Sequence, residues 1–393
     1  MPVIVVGAGP SGLSTAAMLR RVGVSAVVLE RSAAVGEHWR GQYEHLALHT
    51  TRGLSALPGL RVPRQAGRWV GRDDWADYLK RYAAHHRLDI RANTVVTRVS
   101  PAGQNSDGAW EVMTNRERFV ARSVVFAAGR NRLPHIPKWP GAATFDGHLL
   151  HSRDYRSPER YAGLAVLVVG AGNSGTEIAV ALSQAGADRV WLSVRTPPTI
   201  VPRSTSRWQA AGIWAHRLPP AFGDRATALV QRLSLPDLTR HGLPQPAEGL
   251  YTRNLRHDVS PVHDRGIVEA VRSGAIEPVP AVTACDGPRV VLADGTELTP
   301  DVVIAATGYR TGLEHLLGPL PVIDRTGRPF VTGPRTAPQA PGLYFAGYTN
   351  PLSGALRQCG IDARAIARAI HRAHRSPRPR LPRPRTEKAA QSA

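Results

Sequence analysis

The sequence predicts an α/β protein of two Rossmann-like, three-layer dinucleotide-binding units, on three observations. A glycine fingerprint, Gly7-Ala8-Gly9-Pro10-Ser11-Gly12, follows the apolar run Val3-Ile4-Val5-Val6. A second, Gly170-Ala171-Gly172-Asn173-Ser174-Gly175, follows Val166-Leu167-Val168-Val169. Each half then closes on a similar phrase, Ser123-Val124-Val125-Phe126-Ala127-Ala128-Gly129 and Asp301-Val302-Val303-Ile304-Ala305-Ala306-Thr307-Gly308. One fingerprint where a strand turns into a helix marks one dinucleotide site. Two suggest two dinucleotides in one protein, and so electron transfer between a nicotinamide and a second redox cofactor.

The elements follow in order. Each fingerprint opens a helix, from about Ser11 to Val22 and from about Ser174 to Ala185. Second strands follow at Ala26–Glu30 and Arg189–Arg195. A β-rich stretch precedes each closing phrase: Asp89–Val120, with a turn near Gly103–Gly108, and Ala275–Leu298, with turns at Asp286-Gly287 and Asp294-Gly295. The second copy is longer because of the Pro/Arg-rich stretch Thr196–Pro261. Within it Ala221–Leu233 reads as an amphipathic helix placed to cap a pocket. The last helix runs from about Gly360 to Ala373, with Ile361, Ala365, Ile366 and Ile370 expected on its apolar face. The Pro/Arg-rich tail 376–393 is expected to be disordered.

The 393 residues suffice for two domains with buried cores. No apolar run approaches the roughly 20 residues of a membrane span. The apolar start lacks the basic leader and cleavage site of a signal peptide, so a cytoplasmic protein is expected. The two cysteines, Cys285 and Cys359, form no C-x-x-C pair, which excludes a dithiol redox centre and fits a reducing compartment. The net charge of +20 comes almost wholly from arginine, the lysines being Lys80, Lys138 and Lys388. No nucleic-acid-binding signature accompanies that charge, and the arginines spread along the whole chain. A compositional bias that also attracts anionic cofactors accounts for it better than a nucleic-acid partner. The histidines show no metal-ligand spacing, and His85-His86 reads as a solvated pair at a helix end.

In the first fingerprint Gly7 permits the tight turn, Gly9 lets backbone approach a pyrophosphate, and Gly12 lets helix pack on strand. The helix then offers unpaired N–H groups to phosphate. Glu30, closing the second strand, is placed to accept hydrogen bonds from ribose hydroxyls. The alternative is an ordinary glycine turn with Glu30 as a surface charge. The second fingerprint has the same geometry and a different ending: Ser193 and Arg195 close its second strand in place of an acid. An arginine there pairs with a 2′-phosphate, which predicts NADPH over NADH. The competing reading makes Arg195 one more arginine in an arginine-rich chain.

Between the fingerprints, Phe145-x-Gly147-x-x-x-His151-x-x-x-Tyr155 resembles the F-x-G-x-x-x-H-x-x-x-[YF] signature of flavin-containing monooxygenases, the class B flavoprotein monooxygenases. Baeyer–Villiger enzymes usually carry Trp at the last position. Val35-Gly36-Glu37-His38-Trp39-Arg40 resembles the family's G-G-x-W segment beside the flavin. Leu46-Ala47-Leu48-His49-Thr50 with Leu57-Pro58 resembles the YUCCA-type branch, as do Gly172-Asn173-Ser174-Gly175 and Ala306-Thr307-Gly308-Tyr309-Arg310. Pro341-Gly342-Leu343-Tyr344-Phe345-Ala346-Gly347 is similar to the strand that returns to the flavin domain. The likeness runs from residue 3 to about 373. Three positions depart from the pattern: Glu37 replaces a glycine, His49 stands where animal-type relatives have asparagine before Thr50, and Tyr348 stands where many two-dinucleotide reductases have aspartate.

The resemblance implies an FAD domain of residues 1–155 and 311–375 with an NADPH domain, 156–310, inserted into it. It implies FAD binding by Gly7, Gly9, Pro10, Ser11, Gly12, Glu30, Arg31, Trp39, His49, Thr50, Gly129 and Gly347. NADPH falls to Gly170, Gly172, Asn173, Ser174, Gly175, Ser193, Arg195, Thr307 and Gly308. It also implies a reaction in which NADPH reduces FAD, a C4a-hydroperoxyflavin forms with O2, and one oxygen atom passes to a small organic substrate. No metal and no side-chain triad are expected, since the flavin carries the chemistry; His49 and Thr50 are the candidate catalytic residues. The YUCCA-type likeness points to oxidative decarboxylation of an α-keto acid such as indole-3-pyruvate. N- or S-oxygenation, Baeyer–Villiger insertion, and an NADPH:acceptor oxidoreductase without oxygen transfer stay open, as does an FAD-binding sensor or scaffold. His151 reads either as a cofactor-positioning residue or as a structural pin at the domain junction, and Tyr155 likewise. Arg203 reads as a pocket or an NADPH residue.

Overall fold

Both fingerprints turn a buried strand into a helix in the computed structural model, which describes residues 1–103, 108–203 and 219–375. The tail 376–393 and part of the stretch 196–261 lie outside the described residues. The first sheet is parallel throughout, in the order Leu343–Phe345, Val124–Phe126, Val3–Val6, Ala26–Leu29, Asp89–Arg91. The second repeats the plan with Glu277–Val279, Arg189–Ser193, Ala165–Val169, Val302–Ala305 and His148–His151. The central strands are runs of Val, Ile and Leu because both of their faces are covered. Those faces form four apolar clusters, two around each sheet.

The outer strand of the first sheet, Leu343–Phe345, arrives only after the second sheet is complete. The second unit is therefore inserted into the first. The sequence reading places its start at residue 156, yet His148–His151 already pairs with Val302–Ala305 in the second sheet. Each unit also carries a three-stranded antiparallel sheet, Val96–Pro101 with Trp110–Thr114 and Arg118–Ala121, and Val282–Asp286 with Arg289–Leu292 and Glu297–Leu298.

The glycines explain the shape of the turns. Gly7 and Gly170 have φ near +103° and +112°, a left-handed backbone that other residues adopt at a cost. A Cβ on Gly12 would stand 1.9 Å from the Gly7 carbonyl oxygen, and one on Gly175 would stand 1.8 Å from that of Gly170. Helix and turn are packed backbone to backbone in both units. The helices Pro10–Arg21 and Asn173–Gln184 begin at Gly9 and Gly172, neither of which offers a side-chain cap. Their first N–H groups are thus left for a ligand.

Two expectations are corrected. The final helix is longer, Ala355–Arg375, and Ile361 is 40% exposed; the buried face is Cys359, Ala363, Ile366, Ala367 and Ile370. It packs along the first fingerprint helix, and the 3.6-residue repeat that keeps Ala363 and Ile366 inward turns Ile361 out. His85-His86 is not a solvated pair. His85 is exposed on the last turn of the helix Arg72–His85, whereas the His86 ring packs on Tyr82 with centroids 4.5 Å apart. Burial pushes the His86 pKa down.

Candidate active site

The first fingerprint opens onto a cavity of about 1240 Å³. Gly7, Gly9, Pro10, Ser11, Glu30, Arg31, Trp39, His49, Thr50, Gly129 and Gly347 all line it. Gly12 does not, being pressed against Gly7. From the second fingerprint Asn173 and Ser174 reach the same cavity, while Gly170, Gly172, Gly175, Ser193, Arg195, Thr307 and Gly308 stand outside its wall. The helix Pro220–Ser234 closes one side through Thr227, Val230 and Leu233.

A dinucleotide fits the wall around the first turn. A Cβ built on Gly9 would meet no protein atom within 4 Å, so open space stands at the helix N-terminus. The Glu30 carboxylate accepts N–H bonds from Ala8 (2.7 Å) and Ser32 (2.9 Å), which fixes its orientation and leaves acceptor capacity for hydroxyls. Arg130, also on the wall, pairs through one nitrogen with Asp258 at 2.9 Å. Its other terminal nitrogen is buried with no protein partner, as is Oγ1 of Thr349 on the same wall. Buried polar atoms are rarely left unpaired, and a polar ligand would satisfy both. Glu37 turns away: its carboxylate accepts the Ala33 N–H at 3.0 Å. The short helix Glu37–Arg40 still carries Trp39 to the wall, edge-on to Trp75. Cys359 is buried on the same wall, its Sγ 2.9 Å from Ser11 Oγ, and burial pushes the thiol pKa up to about 11.

The residue that sequence reasoning missed is Glu177, one turn into the second fingerprint helix and buried. Its Oε1 accepts from His49 Nε2 at 2.6 Å. Its Oε2 accepts from Tyr43 Oη at 3.0 Å and from Arg265 at 2.7 Å. Burial works against the charge, but these donors outweigh it and hold the Glu177 carboxyl below its ordinary pKa. An ionised carboxylate only accepts, so His49 Nε2 carries a proton. His263 stacks on His49 with centroids 5.3 Å apart. Burial first, then the charges of His49 and Arg203, push the His263 pKa down to about 4 despite the opposing pull of Glu177. The signal available in the sequence was an acid set in the otherwise apolar helix segment before Ile178, Ala179 and Val180.

Other expected residues take plainer places. The Asn173 side-chain amide donates to the Pro261 carbonyl at 2.9 Å and accepts the His263 N–H at 3.1 Å, so it fastens the neighbouring loop. Ser193 is buried and its hydroxyl donates to the Pro280 carbonyl at 2.8 Å. Thr307 donates to the His135 carbonyl. Arg195 is exposed, and after burial the positive charges of Arg310 and Arg195 push the His135 pKa down. His151 is buried, with Nε2 donating to the Gly308 carbonyl and Nδ1 accepting the Arg153 N–H, both at 3.0 Å. Both ring nitrogens are used by backbone, as in a junction pin. Tyr155 is buried against Tyr43, His45 and Tyr161, its hydroxyl without a protein partner. Arg203 lines the cavity and stands over the Trp69 ring at 4.1 Å. Among the described residues no cluster of His, Cys, Asp and Glu could hold a metal ion, and no helix is long and apolar enough to cross a membrane.

Comparison with known proteins agrees with this geometry. The pyridine nucleotide-disulphide oxidoreductase family matches residues 4–209. The chain is 33% identical over 380 residues to a probable indole-3-pyruvate monooxygenase, YUCCA9, of Arabidopsis thaliana, covering 93% of this chain and 88% of that one. It is 34% identical over 378 residues to the indole-3-pyruvate monooxygenase YUCCA1 of Oryza sativa subsp. japonica, covering 94% and 91%. A flavin-containing monooxygenase from Stenotrophomonas maltophilia superposes with a TM-score of 0.72 at 26% identity, covering 95% and 98%. An open crystal structure of cyclohexanone monooxygenase shares the fold, with a TM-score of 0.71 at 18% identity, covering 95% and 88%.

Proposed function

Since the chain belongs to the flavin-containing monooxygenase family, with YUCCA-type enzymes among its relatives, we propose that it uses FAD and NADPH, with O2, to decarboxylate an α-keto acid of the indole-3-pyruvate kind oxidatively. The observation that carries this reading is the single cavity walled both by the glycine turn of one dinucleotide unit and by the helix N-terminus of the other. The FAD unit is 1–155 with 311–375 and the NADPH unit 156–310, apart from the strand His148–His151 that crosses over. The substrate class is supported by what the relatives' names say they act on.

The bound dinucleotides supply hydride transfer and the activation of O2. This chain's residues supply the rest. The open space at Gly9 admits a pyrophosphate to the free N–H groups of the helix Pro10–Arg21. Glu30 accepts ribose hydroxyls, and Arg130 and Thr349 gain partners for their unpaired atoms. Arg195, whose charge acts on His135 together with that of Arg310, would hold the 2′-phosphate that distinguishes NADPH from NADH. Trp39 and Leu48 line the flavin side of the cavity and exclude water there. His49 and Thr50 also stand on this wall, His49 tied through Nε2 to Glu177 and the Thr50 hydroxyl to Ser55 Oγ at 2.7 Å. Arg203, held over Trp69, meets the substrate carboxylate.

The test is anaerobic reduction by NADPH, followed by oxygen and a panel of keto acids, ketones, amines and sulfides. Loss of CO2 from a keto acid in step with NADPH consumption is expected. Peroxide release with every compound and product from none would overturn oxygen transfer. Products from sulfides, amines or ketones alone would overturn the substrate class.

A further inference from the structure

The Glu177 carboxylate joins the two units at the point where their sites meet. Its helix opens on Gly172, and Asn173 and Ser174 at the start of that helix reach the cavity. Two of its donors, Tyr43 and His49, belong to the first unit and also line the cavity. The third, Arg265, belongs to the second unit and reaches back through its other nitrogen to the His45 carbonyl at 3.2 Å. Tyr43 and His49 lie 134 and 128 residues before Glu177 and Arg265 lies 88 after it, and the acceptor sits about 6 Å along the helix from its first residue, at 1.5 Å per residue. The assembly rigidly connects the start of the second fingerprint helix to His49.

We propose that Glu177 is a positioning residue, which holds the hydride-donor unit in register with the flavin side of the cavity by fixing His49. The inference rests on the reading of the two units as NADPH and FAD sites. Hydride transfer needs donor and acceptor within roughly 3–3.5 Å, and a misplacement of about 1 Å costs up to a hundredfold in rate. The carboxylate is the group suited to the task. Oε2 serves Tyr43 and Arg265 together, and Oε1 alone serves His49. In Glu177→Gln the amide oxygen can keep Tyr43 and Arg265, which leaves an NH2 facing His49 Nε2, a donor the ring can accept only as its Nδ1–H tautomer. The substitution thus replaces the charge-assisted tie to His49 with a neutral, reversed one while conserving shape and the other two bonds.

The test uses the flavin-loaded full chain and two readouts. In stopped-flow reduction, Glu177→Gln should lower the limiting rate at saturating NADPH by roughly tenfold or more. The NADPH concentration for half-saturation should change less than about twofold, because the glycine turn and Arg195 are untouched. Independently of turnover, NADP+ should perturb the flavin absorption spectrum of the wild type and lose that effect in the variant, while calorimetry still finds NADP+ bound. His49→Leu removes the same tie from the other side, since leucine offers no donor to Glu177. The double variant should lose no more than either single one, since residues acting as one unit are not additive. Should Glu177→Gln not fold, His49→Leu carries the same rate and spectral predictions alone. A variant with the wild-type limiting rate and spectral response, or fully additive losses, overturns the proposal. A wild type that NADPH cannot reduce overturns the cofactor reading and the inference with it.

Discussion

Alanine at Gly9 and alanine at Gly12 should separate ligand binding from folding. The two glycines sit three residues apart at the same turn, yet the structure gives a new methyl group opposite surroundings. At Gly12 it would stand 1.9 Å from the Gly7 carbonyl oxygen, where ordinary contact begins at 3.4 Å. The helix Pro10–Arg21 would have to back off by about 1.5 Å, from a turn that is itself backbone. Overpacking of this kind costs about 1–3 kcal/mol, and contact with an unyielding backbone belongs at the upper end. At Gly9 the methyl group meets nothing within 4 Å and φ is −78°, which alanine adopts freely. Apo-protein stability should stay within about 0.5 kcal/mol, a weaker N-cap offsetting the loss of unfolded-state entropy. The methyl group does occupy the space assigned to a pyrophosphate. Loss of one charge-assisted N–H···phosphate bond, about 1.5–3 kcal/mol, raises the FAD Kd roughly tenfold to hundredfold. Urea unfolding of the apo-proteins and titration of flavin fluorescence measure both quantities. A Gly9→Ala variant that binds FAD like wild type would refute the placement of the pyrophosphate, and a Gly12→Ala variant as stable as wild type would refute the packing argument.

Arg195→Ala should raise the NADPH KM by roughly tenfold, the scale of one lost charge-assisted contact, and leave that for NADH nearly unchanged; equal changes would remove Arg195 from coenzyme selection. His263 makes stability depend on pH. Its folded pKa of about 4 lies below the ordinary 6.5, so above pH 6.5 both states are neutral there, and below it only the unfolded chain gains the proton. Stability should therefore fall as pH drops from 6.5 toward 4, by about 2 kcal/mol at pH 5 from this group. Urea unfolding at pH 7.5 and 5 should show that slope shrink in His263→Gln, and an unchanged slope would place the proton elsewhere. Tyr155→Phe removes a buried hydroxyl with no protein partner, so stability should hold or rise by about 1 kcal/mol and reduction by NADPH should persist. A loss of stability, or a raised NADPH KM, would show that the hydroxyl has a partner when coenzyme is bound.

The turns were legible because everything they need is local. Strand, glycines, helix and closing phrase lie within a few residues of one another, and each glycine answers to a contact inside its own unit. The two fingerprint helices begin and end within about one residue of expectation, the usual uncertainty of helix ends. The insertion of one unit into the other was legible only through the resemblance of Leu343-Tyr344-Phe345 to a returning strand, which pairs with Val124–Phe126. The Glu177 assembly was not legible, since Tyr43, His49 and Arg265 are brought to it by tertiary packing that no periodicity encodes. Ile361 misled because apolar type was read as burial, although a single isoleucine on a helix is tolerated in water.

Both of the chain's thiols are buried, Cys285 in its strand and Cys359 on the cavity wall beside the first glycine turn. A thiol of pKa about 11 is ionised in roughly one molecule in ten thousand at neutral pH, and the thiolate is the species that alkylates. Burial likewise raises the Cys285 pKa. The native chain should therefore react slowly with maleimide dyes at neutral pH. Cysteines introduced at exposed Arg116, in the first unit, and exposed Arg272, in the second, would take donor and acceptor fluorophores without removal of either native residue. Single-molecule energy transfer could then follow the spacing of the two units while coenzyme comes and goes.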